Sequence, residues 1–114
     1  MSEALRTIFV GGVDSPVRRL LGDTPTTVLV GEFRRVAQAV QEGGARRPDL
    51  LVVDLPDDRA TGPEGPPVKI IEALTRAFPD AAVFASGLSP SADFVIEIIR
   101  AGAVEFLLRP VQPG

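Results

Sequence analysis

The sequence predicts an α/β fold in which an open parallel sheet of five strands carries helices on both faces. Five short apolar or β-branched runs alternate with segments whose apolar residues recur every three or four positions. Three of these runs contain almost no polar residue, which is typical of strands buried on both faces. Strands that alternate with helices form right-handed βαβ units, so the strands are expected to be parallel. The runs are residues 7–10, 27–30, 50–53, 82–85 and 104–108.

Five strands in a chain of 114 residues predict a three-layer sandwich with the flavodoxin-like strand order 2-1-3-4-5. In this arrangement ligands bind at the carboxyl ends of the strands, where the strand order reverses between strands 1 and 3. Asp54 ends the third run, so we expect it at that edge. The length suits one domain, residues 1–114.

Three apolar stripes predict the helices that cover the sheet. Capping signals agree with them, since Ser15-Pro16 and Ser89-Pro90 each place a hydroxyl before a proline at the first helical position. Gly43 and Gly102 predict the ends of two helices. The stripes are Phe33, Val36, Ala37 and Val40, then Val68, Ile71, Leu74 and Phe78, then Val95, Ile98 and Ile99.

Two segments depart from the regular alternation of strands and helices. Residues 55–67 contain four prolines and two glycines, which predicts an irregular exposed loop after strand 3. The chain stops directly after strand 5, with no fifth helix to cover that edge of the sheet. We therefore expect a domain excised from a longer protein, or a partner that covers the exposed side.

Composition excludes several classes of function. The formal net charge is -3 and the arginine pairs are interspersed with acids, so no basic stripe for nucleic acid is predicted. No apolar run reaches the length of a membrane-spanning helix or the pattern of a signal peptide, which predicts a cytoplasmic protein without membrane insertion. The absence of cysteine and histidine excludes thiolate or imidazole chemistry.

The usual catalytic and nucleotide-binding motifs of α/β proteins are missing. The sequence has no G-x-x-x-x-G-K-[ST] loop and no G-x-G-x-x-G fingerprint, and without histidine no Ser/His triad can form. Gly11-Gly12 leads into a segment that lacks the hydroxyl-rich loop expected for a flavin phosphate. We therefore do not expect a stand-alone enzyme.

Polar residues at the ends of three strands predict one small polar site. Asp54 ends strand 3, Ser86 and Gly87 end strand 4, and Arg109-Pro110 ends strand 5. These strands are adjacent in the expected sheet, so their carboxyl ends meet at one edge.

Three segments resemble strands 3, 4 and 5 of the response-regulator (CheY-like) receiver domain: residues 48–55 (PDLLVVDL), 83–87 (VFASG) and 101–110 (AGAVEFLLRP). The resemblance implies that Asp54 is the position that accepts a phosphoryl group from a histidine kinase. It implies that Ser86 is the hydroxyl that turns toward the phosphate and Phe106 the aromatic that swings inward. It also places Arg109-Pro110 where the family has a phosphate-binding lysine before a cis-proline.

The sequence departs from the receiver pattern in two ways. The family binds Mg²⁺ with the phosphoacceptor and two acids after strand 1, whereas here only Asp14 follows that strand, so a weak or absent metal site is expected. Asp14 is equally suited to capping the first helix. Arginine replaces lysine at position 109, and a planar guanidinium is not equivalent to a compact ammonium; it is equally suited to a permanent ion pair with Asp54.

These departures favour an atypical pseudo-receiver that acts in protein interaction or localisation, through helix 4 and strand 5, with a protein partner or a second copy. The alternative is a working phosphorelay receiver, phosphorylated on Asp54 by a histidine kinase and requiring Mg²⁺. The segment 101–110 is also similar to the receiver-like amino-terminal domains of CpaE/TadZ-type (ParA/MinD-like) pilus-assembly ATPases. Three roles are left open for Phe106: an exposed aromatic at the sheet edge, a core residue, or a switch residue as the resemblance implies.

Overall fold

The computed structural model describes residues 4–12, 14–55, 65–87 and 91–108. They form one parallel sheet in the order β2-β1-β3-β4-β5, which confirms the predicted topology. A short 3-10 helix, Gly43–Arg46, follows the second α-helix. The strands are β1 (Leu5–Val10), β2 (Thr27–Phe33), β3 (Leu50–Asp54), β4 (Ala82–Gly87) and β5 (Glu105–Leu108), and the described helices are α1 (Pro16–Asp23), α2 (Val36–Glu42), α3 (Pro67–Ala77) and α4 (Ala92–Ala101).

The central strand β3 explains the continuous apolar run of the sequence. Leu51 and Val53 belong to the larger core cluster together with residues of α2, α3 and α4. Leu50 and Val52 point to the other face and pack in a smaller cluster with Phe9 and Val17 of α1. Because both faces of β3 are buried, every position before Asp54 is apolar.

Helix termini agree with three of the four predicted signals. The Ser15 hydroxyl accepts a hydrogen bond from the Val17 N–H and caps α1, while Gly43 and Gly102 end α2 and α4. The prediction that Ser89 caps α4 is wrong. Helix α4 begins two residues later, because the Ser91 hydroxyl accepts the Phe94 N–H, and residues 88–90 lie outside the described part of the chain.

The predicted stripe of α3 is confirmed at its buried positions Ile71, Leu74 and Phe78. The other two stripes are confirmed only in part, at Val36 of α2 and at Ile98 of α4. Phe33 ends β2, and α2 buries Val36 and Ala39 whereas Ala37 and Val40 are exposed. Helix α4 buries Phe94 and Ile98, while Val95 is half-buried and Ile99 is exposed.

The predicted exposed loop of residues 55–67 is wrong at both ends. Leu55 is 1 % exposed, and its N–H donates a hydrogen bond to the Ser86 carbonyl. Pro67 is buried as the first residue of α3. Residues 56–64 and 109–114 lie outside the described part of the chain. Within the described residues, no helix is long and apolar enough to cross a membrane.

Candidate functional site

Asp54 and Ser86 form the centre of the site at the carboxyl edge of the sheet. The two residues are register partners on the neighbouring strands β3 and β4. The Ser86 hydroxyl donates a hydrogen bond of 2.5 Å to Oδ1 of Asp54. Ser86 is fully buried, whereas Asp54 is half-buried and reaches the surface. The predicted convergence of these two strand ends is therefore confirmed.

Gly87 and Phe106 extend the site toward α4. A Cβ atom at position 87 would lie 2.7 Å from Cζ of Phe106, so the aromatic ring lies directly over the glycine. The ring also contacts Phe94 of α4 edge to face, with 6.0 Å between the ring centroids. Phe106 is half-buried against the core, which supports the interpretation as a core residue over that as an exposed edge aromatic. Gly87 provides the space that the ring occupies.

Gly11 is the neighbour of Asp54 on the other side. Val10 pairs with Val53, and a Cβ atom at position 11 would lie 3.0 Å from Cβ of Asp54. The same hypothetical Cβ would lie 2.7 Å from Cζ of Phe9, so position 11 accepts a side chain only if Phe9 moves. A Cβ atom at Gly12 would contact nothing within 4 Å. Gly11 thus brings backbone, but no carboxylate, close to Asp54.

The predicted weak or absent magnesium site involves Asp14 and Asp54, and its affinity for the ion stays a prediction. Mg²⁺ is usually held by oxygen ligands in near-octahedral geometry, with carboxylates supplying the negative charge. Asp14 lies exposed in the turn before α1, and Ser15 rather than Asp14 caps that helix. No group of three or more acids, histidines or cysteines that could hold a metal is present among the described residues.

Two predicted site residues, Arg109 and Pro110, lie outside the described part of the chain. Their predicted contacts with a phosphate therefore stay predictions. The sequence reasoning missed the close approach of Gly11 to Asp54, although a pair of glycines directly after a buried strand was a visible signal for close backbone contact. It used these glycines only to argue against a flavin-phosphate loop and against a full set of acids after strand 1.

The sequence is similar to that of a chemotaxis protein. Chemotaxis protein CheY of Thermotoga maritima is 28 % identical over 101 residues, which cover 86 % of this chain and 80 % of CheY. No protein-family model matches the chain.

Solved structures of receiver domains share the fold. The signal receiver domain of the response regulator NarL from Mycobacterium tuberculosis superposes with a TM-score of 0.74 at 22 % identity, covering 96 % of this chain and 87 % of that domain. The response regulator domain of Thermotoga maritima CheB gives a TM-score of 0.71 at 21 % identity, and the match covers 95 % of this chain and 80 % of that domain. The isolated receiver domain of RcsB from Salmonella enterica, with the phosphomimetic BeF3-, gives a TM-score of 0.72 at 18 % identity. That match covers 93 % of this chain and 78 % of the RcsB domain. The chain is therefore similar in sequence to CheY and shares the fold of these solved receiver domains.

Proposed function

We propose that this receiver domain is an atypical one, which acts in cytoplasmic signal transduction as a protein-interaction or localisation module and not as a phosphoacceptor. The observation that carries the proposal is that Gly11, a residue without a side chain, is what approaches Asp54 directly after β1. A carboxylate that attacks phosphorus needs its own negative charge and that of the phosphodonor offset by cations. Among the described residues, no group of three or more acids that could hold such a cation is present.

The second candidate is a working phosphorelay receiver in which a histidine kinase phosphorylates Asp54. It is favoured by the hydrogen bond between Ser86 and Asp54, which places a hydroxyl and a half-buried carboxylate together at the carboxyl edge of the sheet. The two candidates differ in their need for Mg²⁺, so the same experiment tests both.

We expect no phosphoryl adduct when the protein is incubated with acetyl phosphate and Mg²⁺, because the described residues contain no group of three or more acids that could hold the metal. The measurement is the intact-protein mass, taken over a time course so that a short-lived acyl phosphate is seen. A parallel titration with beryllofluoride, followed by amide chemical shifts, detects binding that hydrolysis would hide. An adduct that disappears in Asp54→Asn would contradict the proposal and identify a working phosphoacceptor.

Gly12→Asp is the matched gain-of-ligand variant for this experiment. A side chain at position 12 meets no atom within 4 Å, so the new carboxylate fits without repacking. We expect its Mg²⁺ affinity to exceed that of the wild type by about tenfold or more, which is the scale on which single groups around a metal act. Gly44→Asp is the control, because Gly44 also has open space but lies before β3, at the opposite edge of the sheet. Equal affinities in the two variants would contradict the metal argument.

The interaction surface that we assign comprises the exposed apolar side chains of α4 and of the edge strand β5. Ile96 and Ile99 lie on α4, and Leu108 lies at the end of β5 with 69 % of its surface exposed. Strand β5 pairs only with β4, so its outer edge is unpaired among the described strands. Large exposed apolar side chains beside a free strand edge are typical of a surface that binds another protein.

We expect Leu108→Glu to weaken self-association by about tenfold or more, because a charge at the centre of an apolar interface must be desolvated. Sedimentation equilibrium over a range of protein concentrations measures the effect. Leu20→Glu is the control, since Leu20 is a leucine of similar exposure, 60 %, on α1. A wild-type chain that is monomeric at every concentration would exclude the second copy and leave a different protein as the partner.

The localisation role rests on the resemblance of residues 101–110 to the CpaE/TadZ-type domains. A fluorescent fusion of the chain in its native cell tests it directly. Polar foci that disperse in Leu108→Glu but persist in Asp54→Asn are the expected result for a phosphorylation-independent targeting module. Fluorescence spread evenly through the cell would contradict the localisation role and leave protein interaction as the proposed role.

A further inference from the structure

A cleft of about 230 Å³ opens at the carboxyl ends of β1 and β2, beside the Asp54 site. It is larger than the roughly 150 Å³ cavity that holds a benzene molecule and smaller than the pockets of drug-sized ligands, which begin at about 300 Å³. Its apolar lining comes from Phe9 and Phe33, and its polar lining from side chains of α1 and the end of β2. The dimensions suit a compact ligand of about the size of one substituted ring.

The cleft exists because the residues after β1 have no side chains. Gly11 and Gly12 both line it. The Gly11 N–H is already bonded to the Phe33 carbonyl at 2.9 Å, and the Gly12 carbonyl accepts the Ser15 N–H. The Gly12 N–H has no hydrogen-bond partner among the described residues, so a backbone donor is free at the wall of the cleft.

Three charged side chains line the cleft, and two of them neutralise each other. The Arg18 guanidinium donates to both carboxylate oxygens of Glu32, through Nε and through Nη2. This hydrogen bond and, after it, the charge of Glu32 raise the pKa of Arg18 above its ordinary value. Arg34 forms no hydrogen bond or ion pair with any described residue. The lining therefore carries one uncompensated positive charge.

We propose that this cleft binds a small monoanion with a flat apolar body, such as an aromatic carboxylate, whose charged end meets Arg34 and the Gly12 N–H. A guanidinium and a carboxylate form strong, charge-assisted hydrogen bonds, and a backbone N–H adds a second donor. The apolar body rests against the phenylalanine side of the lining. This site goes beyond the function proposed above, because it requires no phosphorylation of Asp54.

Benzoate is the probe, and its neutral isostere benzamide is the matched comparison. In a titration followed by amide chemical shifts of the full chain, we expect benzoate to shift the Gly11 and Gly12 amides saturably at millimolar concentrations. Benzamide at the same concentrations should bind about tenfold more weakly or not at all, since it lacks the charge. Inorganic phosphate is the third probe, and stronger binding of phosphate than of benzoate would overturn the apolar half of the proposal.

Arg34→Gln tests the cation, and the adjacent Arg35→Gln is its control. Arg35 is equally exposed but does not line the cleft. We expect Arg34→Gln to weaken benzoate binding about tenfold and Arg35→Gln to leave it within about twofold, with both variants showing the wild-type amide spectrum away from the cleft. Equal losses in the two variants, or benzoate shifts that do not saturate, would overturn the site.

Discussion

Ile98→Ala is expected to destabilise the domain by about 2–5 kcal/mol, because it removes the side-chain atoms of a fully buried residue and leaves a cavity. Ile98 is 0 % exposed and joins α4 to the larger core cluster. Urea denaturation followed by far-UV circular dichroism gives the free energy of unfolding. If the variant does not fold at all, Ile98→Val should remain folded and lose about 0.5–1.5 kcal/mol.

Ile96→Ala is the control for this substitution. It removes the same atoms from the same helix, but Ile96 is 48 % exposed. We expect a change of about 0.5 kcal/mol or less, since alanine favours the helix and little buried surface is lost. Equal losses from Ile96→Ala and Ile98→Ala would contradict the orientation of α4.

Gly102→Ala is expected to have the second large effect, for two separate reasons. Gly102 ends α4 with φ 131°, a conformation that costs a residue with a side chain about 1–3 kcal/mol. An added Cβ would also lie 2.5 Å from Cγ2 of Thr75, and such overpacking costs about 1–3 kcal/mol. Urea denaturation measures the sum of the two losses.

A double substitution separates the two reasons. Thr75→Ser removes the methyl group that the new Cβ would strike. In the Thr75→Ser background, Gly102→Ala should therefore lower the free energy of unfolding by less than it does in the wild type, and the difference is the cost of the overlap. The backbone strain should persist. Gly44→Ala is the control, because a Cβ there contacts nothing within 4 Å and its φ is not in the left-handed region. A loss from Gly102→Ala as small as that from Gly44→Ala would contradict the C-terminal geometry of α4.

The sheet could be predicted from the sequence because a strand buried on both faces is apolar at every position, so it need not be decided which residues face the core. The run that became β3 is apolar at each position from Leu50 to Val53, and burial on both faces demands that. The helices were harder, since apolar residues one position apart differ by about 100° around the helix, and the sequence does not say which of them face the sheet. Two serines within three residues, Ser89 and Ser91, both satisfied the capping rule, and only the packing of Phe94 and Ile98 distinguishes them.

Part of the candidate site could also be predicted from the sequence. Asp54 and Ser86 follow neighbouring strands, so strand order alone placed them together. The position of Gly11 depends on the register between β1 and β3 and on the orientation of the Phe9 ring, and neither is written in the local sequence. The contact of Phe106 with Gly87 and Phe94 is likewise a tertiary property, which is why the sequence left three interpretations open.

The different surroundings of Gly11 and Gly12 bear on how the site can change by mutation. Every glycine codon becomes an aspartate or a glutamate codon through one nucleotide substitution. At position 12 the Cβ of such an acid would meet open space, whereas at position 11 the ring of Phe9 must also move. The two neighbouring glycines therefore differ in how readily they can gain an acidic side chain.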